Sequence, residues 1–262
     1  MSLPRWSSPW YGDRRKIDRM HAARSTHNRR MTNEPTLPPP TWRLEADTIV
    51  AFSRVPAAER ARLPEGAHGL PGLGLVFAIS YSNSPVGPYL ETVVCIPARY
   101  LGRAGYCVTT IVVDSEPALW AGLDFWGYPK VLGTMEWQAD GRDRELRWKE
   151  RDLVVRARSS RLSVPGAAII PTIQALPDGG GAFTGLRIAG KLTPARIEIE
   201  TPADGPLAGL AGRHWGSTAT GLRMTVPVPA LRGPISTRMP GVLTGEVKLP
   251  SYRPNEISSR SA

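Results

Sequence analysis

The chain has 262 residues, 41% of them hydrophobic, with a formal net charge of +10, a composition that suits one large or two small globular domains. Half of the charge excess lies in residues 1–40, where Arg5, Arg14, Arg15, Lys16, Arg19, Arg24, Arg29 and Arg30 face only Asp13, Asp18 and Glu34. The remaining body is mildly basic and does not interleave aromatic with basic residues, which argues against a nucleic-acid-binding domain. No apolar run approaches a membrane span and the amino-terminal stretch lacks the apolar core of a secretion signal, so the expected setting is cytoplasmic, without a membrane partner.

Residues 1–40 are polar, basic and proline-punctuated, and are read as a disordered tail closed by a stiff LPPP linker. Met31 offers an alternative translation start, and the tail's charge offers a weak tether to polyanions. Residues 41–262 are read as a single domain. TIVAFSRV is a strand, and PAAERARLPEG is a short helix that stops before Pro64 and Gly66. GLGLVFAISYSNS, YLETVVCIPARY and GYCVTTIVVD are β-branched, apolar strands, the last two forming an antiparallel hairpin around LGRAG.

SEPALWAGLDFWG has apolar residues at helical spacing, with Ser115 as cap and Glu116 and Pro117 in the first turn, so Lys130 follows a helix exit. Further strands are expected at TMEWQAD, RELRWKERDLVVRARS, AAIIPTIQAL, FTGLRIAGKLTPARIEIET, GLRMTVPVP and GVLTGEVKLP, before a loose SYRPNEISSRSA. Many short strands with two short helices predict an α+β, mainly antiparallel fold, a curled sheet or closed barrel.

Most enzyme signatures are absent. His21 and His27 fall in the tail, while His68 and His214 are isolated and no paired CxxC occurs, so no metal site is expected. Cys95 and Cys107 read as reduced core thiols. Gly179 to Gly181 read as a hairpin turn and no GxSxG elbow is present. That leaves Lys130, one of five lysines, in DFWGYPKVLGTMEW, and Glu91 at the head of an apolar strand. Each has two readings. Lys130 is either a surface lysine snorkelling past aromatic neighbours or an amine drawn out of water and able to attack a carbonyl. Glu91 is either a strand terminus or an acid in the same apolar cavity.

PVGPYLETVVCIPARYLGRAGYCVTTIVVDSEPALWAGLDFWGYPKVLG resembles the core of the acetoacetate decarboxylase family: a glutamate strand ending in IP, a hairpin, an aspartate followed by EPA, a helix, and an aromatic-Pro-Lys motif before LG. Weaker similarity runs from about Thr41 to Pro250. The resemblance implies a cone-shaped β-barrel with an interior pocket and a homo-oligomer. It also implies a Schiff base on Lys130, Glu91 near the reacting centre, Tyr128 lining the pocket and no metal or organic cofactor. The implied activity is decarboxylation of a β-keto acid. A Schiff-base lyase of aldolase, dehydratase or hydratase type and a non-catalytic pocket protein are the alternatives. Four departures stand out. The second lysine that follows the reactive one in the family is Val131, and the family's Gly-Arg-Glu is Gly122, Leu123, Asp124. A second pocket glutamate falls near Val76, and the arginine that would meet the substrate carboxylate has only Arg43 nearby, off register.

Overall fold

The computed structural model describes residues 37–177 and 179–233. Apart from Leu37 these belong to one compact unit, Pro38–Gly245. The tail up to residue 36, Asp178, the segment GVLTGEVKLP and the closing residues lie outside the described residues. Among those described, no helix is long and apolar enough to cross a membrane.

Among the described residues, thirteen strands join in one sheet. In chain order these are β1 (Trp42–Arg54), β2 (His68–Gly69), β3 (Leu73–Asn83), β4 (Tyr89–Tyr100), β5 (Arg103–Val113), β6 (Lys130–Leu132), β7 (Met135–Asp140), β8 (Asp143–Trp148), β9 (Leu153–Ser159), β10 (Val164–Ala175), β11 (Gly181–Glu200), β12 (Gly212–Val226) and β13 (Ala230–Arg232). The one-turn helix α1 (Ala57–Arg60) follows β1, and α2 (Glu116–Trp126) lies between β5 and β6.

The central path runs β10-β5-β4-β3-β1-β12-β11-β9-β8-β7. Strand β10 bonds to both β5 and β11, so the pairings return to their start. The β5–β10 seam is parallel and consists of two residue pairs, Thr172 with Tyr106 and Ile173 with Cys107. The result is a strongly curled sheet that meets itself along a narrow seam rather than a full barrel. Apart from this seam and the parallel β5–β6 contact, the strand pairs are antiparallel. Beside the seam, Ala98, Tyr100, Cys107, Ile173 and Phe183 pack into one buried cluster. Both cysteines are free and buried.

Strands β3, β4 and β5 form the wall that carries the candidate site. Their alternating apolar residues place Ile79 opposite Glu91, and Glu91 opposite Val113. The β4–β5 register slips between Val94 and Cys95, which face Thr110 and Val108. Thr109 is the extra residue of this bulge, and its hydroxyl donates to the Val94 carbonyl at 3.2 Å. The same hydroxyl also meets the carboxylate of Glu59 on α1. The buried Arg62 pairs with Glu59 and also donates to Thr110 Oγ1 and the Pro206 carbonyl.

Two expectations need correction. RELRWKERDLVVRARS is a hairpin, not one strand: a 3-10 turn at Lys149–Arg151 ends at Asp152, whose φ of +46° reverses the chain. The polar KERD stretch contains neither Gly nor Pro, and Asp tolerates the left-handed region because its short side chain hydrogen-bonds locally. Strand β12 starts at Gly212, well before GLRMTVPVP. Its first half lacks a buried apolar alternation, because Trp215 is exposed and its apolar neighbours are few.

Candidate active site

Helix α2 delivers the lysine. Ser115 caps it by accepting from the Ala118 N–H, with Pro117 in the first turn. Ala118, Ala121, Gly122 and Phe125 form one buried helical face. The helix stops at Gly127, whose φ of +66° suits glycine. The N–H groups of Gly127 and Tyr128 both reach the Gly122 carbonyl, and the Lys130 N–H donates to the Tyr128 carbonyl. This tight exit turns the chain into β6, which runs parallel to β5 with Lys130 beside Ile111.

The lysine side chain then lies across Gly122. A Cβ at position 122 would sit 2.5 Å from Lys130 Cε, so the helix needs glycine here to admit the methylenes. Lys130 Nζ donates to Glu91 Oε2 at 2.6 Å, and the two side chains are 7% and 8% exposed. The pair is enclosed by tyrosines. Tyr81 Oη donates to Glu91 Oε1 at 3.1 Å. The Tyr89 ring lies 4.4 Å from that of Tyr81 and 5.7 Å from Lys130 Nζ, within cation–π range. Burial, and then the charge of Glu91, holds the phenols of Tyr81 and Tyr89 well above their ordinary range.

Tyr128 is half-buried, and its hydroxyl pairs with Thr172 Oγ1 at 2.9 Å. Burial pushes its phenol up to about 12, an effect partly offset by the bond to Thr172 and reinforced by the charge of Glu91. Its ring stacks at 6.3 Å on Trp126, which in turn meets Trp42 edge-on.

Of the residues singled out from sequence, Lys130 and Glu91 come into direct contact, and Tyr128 lies near enough to feel the glutamate. Arg43 does not join them. On β1 it is out of phase with the buried Trp42 and Leu44, so its side chain is exposed, and no hydrogen bond or ion pair links it to Lys130 or Glu91. Val76 faces Val94, away from the pair, and the β3 residues beside Glu91 are Ile79 and Tyr81. Tyr81 and Tyr89 were missed in sequence. The signal was available: they flank a short turn at positions that face each other across a hairpin, with Glu91 two residues along the same face.

Val131 is 38% exposed. It follows Lys130 on a strand, where successive side chains leave opposite faces.

This arrangement can hold an amine, a proton acceptor and phenolic donors together in a dry setting. Residues 26–158 match the acetoacetate decarboxylase family. The chain is 26% identical over 195 residues to acetoacetate decarboxylase of Paraburkholderia xenovorans, an alignment covering 62% of this chain and 73% of that one. Among solved structures, acetoacetate decarboxylase from Legionella pneumophila superposes with a TM-score of 0.59 at 17% identity, over 89% of this chain and 98% of that one. The enduracididine biosynthesis enzyme MppR, complexed with the condensation product of pyruvate and imidazole 4-carboxaldehyde, superposes with a TM-score of 0.55 at 15% identity, over 79% and 92%. With half of its length matched to that family and its curled sheet shared with these structures, the chain belongs to the acetoacetate decarboxylase family.

Proposed function

We propose that the protein decarboxylates a β-keto acid through a Schiff base on Lys130, with no cofactor. The observation that carries this reading is the buried contact of Lys130 Nζ with Glu91 Oε2 at 2.6 Å. Glu91 takes a proton from the ammonium and frees the amine. The amine attacks the keto carbonyl, water leaves, and a protonated imine remains. The bond to the carboxylate carbon then breaks, its electron pair flows into the imine, and carbon dioxide departs from an enamine. A proton returns to the enamine carbon, and water releases the ketone and restores the amine. Enclosure by Tyr81, Tyr89 and Tyr128 keeps competing water away from these charged species.

A second reading shares the imine. MppR, of the same fold, is complexed with a condensation product of pyruvate and an aldehyde, and an enamine on Lys130 can attack an aldehyde in place of taking a proton.

The test is to incubate the protein with β-keto acids, pyruvate and aldehydes, add borohydride, and locate the adduct by peptide mass. Trapping on the Lys130 peptide with release of carbon dioxide supports decarboxylation. Trapping without release supports the condensation reading. Lys130→Arg keeps the charge but cannot form the imine, so it should fold and lose turnover and trapping altogether. Full turnover in that variant would sink both readings.

A further inference from the structure

We infer that Tyr81 is a positioning residue that decides which oxygen of Glu91 carries the mobile proton; this rests on the imine reading above. Glu91 divides its two oxygens between two partners. Oε2 receives Lys130 Nζ at 2.6 Å and Oε1 receives the Tyr81 hydroxyl at 3.1 Å. Tyr81 is 6% exposed, and its ring is held against Tyr89, directly opposite it in the β3–β4 register. The phenol therefore has little freedom to turn away.

A phenol held well above its ordinary range by burial and by the neighbouring carboxylate stays protonated at neutral pH. Toward Glu91 it acts as a donor. When Glu91 takes up a proton during the cycle, a proton on Oε1 would force the Tyr81 hydroxyl to turn from donor to acceptor, whereas Oε2 can take its proton directly along the 2.6 Å bond from Lys130 Nζ. It settles on Oε2, the oxygen that faces the lysine nitrogen and hence the carbon of any bound imine. Tyr81 in this way keeps the acid aimed at the enamine while touching neither substrate nor nitrogen.

Acetone in deuterium oxide isolates this step, because it needs an imine but no carboxylate. Lys130 and acetone form the protonated imine and release water. The Glu91 carboxylate removes a methyl proton to give the enamine and a carboxylic acid, whose proton exchanges with solvent and returns to carbon as a deuteron. Proton NMR follows loss of the methyl signal, while borohydride trapping reports imine formation independently.

Tyr81→Phe keeps the ring against Tyr89 and removes only the hydroxyl. Exchange should fall about tenfold, the loss expected for a hydrogen bond to a charged group. Trapping of acetone on Lys130 and the half-saturating acetone concentration should stay within about twofold of wild type. Unchanged exchange with normal trapping overturns the role of Tyr81 alone. A parallel fall in exchange and trapping also overturns it, because that pattern marks general damage to packing. Absence of trapping in wild type overturns the imine reading and this inference with it.

Discussion

Gly122→Ala should separate activity from stability, because the added methyl displaces the lysine while its packing cost is partly offset by alanine's preference for the helix. The added Cβ would lie 2.5 Å from Lys130 Cε and 3.0 Å from Cγ, whereas carbon atoms settle at about 3.5–4.0 Å. Gly122 itself cannot withdraw, since its carbonyl holds the N–H groups of Gly127 and Tyr128 at the helix exit. The lysine must retreat by about 1 Å, which carries Nζ from 2.6 Å toward or past the limit of a hydrogen bond to Glu91. A misplacement of that size costs about a hundredfold in rate.

Stability should change far less. Alanine gains about 1 kcal/mol over glycine in a helix, and overpacking costs about 1–3 kcal/mol, so the net loss stays below about 2 kcal/mol, or a fall in Tm of less than about 8 °C for a chain of this size. The assay is the rate of borohydride-trapped adduct formation beside a thermal melt. A folded Gly122→Ala protein that forms the adduct at the wild-type rate would refute the idea that this contact sets the lysine's position.

Arg62→Leu should cost about 3–5 kcal/mol at pH 8, because it strands the buried carboxylate of Glu59 without its cation. Burial already raises the Glu59 carboxyl above its ordinary 4.5, against the bond from Thr109 and the charge of Arg62. The folded state therefore holds a proton that the unfolded chain has released, and the stability linked to Glu59 falls as pH rises from 4.5 through the raised value. Without Arg62 the deficit should shrink in urea melts at pH 5, and an equal deficit at both pH values would contradict this account. Val131→Lys should leave the pH profile of adduct formation within about 0.3 units of wild type, since a charge on an exposed strand face is screened by solvent; a displacement of a full unit would show that position 131 reaches the amine after all.

The strands and α2 could be read wherever local chemistry and burial agree. YLETVVCIPARY becomes β4 with the same limits, Tyr89–Tyr100, because β-branched residues are bounded by PVGP and LGRAG. Ser115, Pro117 and Gly127 likewise mark both ends of α2. Reading failed where the deciding interaction is non-local. The ring of pairings depends on two residues of β10 meeting β5, a contact across more than sixty positions of sequence that no periodicity encodes. The early half of β12 is a strand because β1 and β11 flank it, in spite of its polar face.

The site divides in the same way. Lys130 and Glu91 stand out as charges among apolar neighbours, and such an anomaly is visible in one dimension. Arg43 misled because a family position was transferred by nearness in sequence, while on a strand a shift of one residue exchanges the two faces. Tyr81 was passed over because a tyrosine at the end of a β-rich segment is an ordinary core residue; its place across the turn from Tyr89 is legible, but the register of β3 against β4 is what shows its hydroxyl meeting Glu91. Val131 shows the converse. It stands where the family has a second lysine, next to Lys130 in sequence, yet β6 sends the two side chains to opposite faces. The groups that bear on Lys130 come from elsewhere in the chain: Glu91 and Tyr89 from β4, Gly122 from α2. The amine's surroundings are therefore set by the pairing of the sheet and the exit of one helix, and a substitution at Gly122, eight positions away in sequence, should reach it more strongly than one at its immediate neighbour.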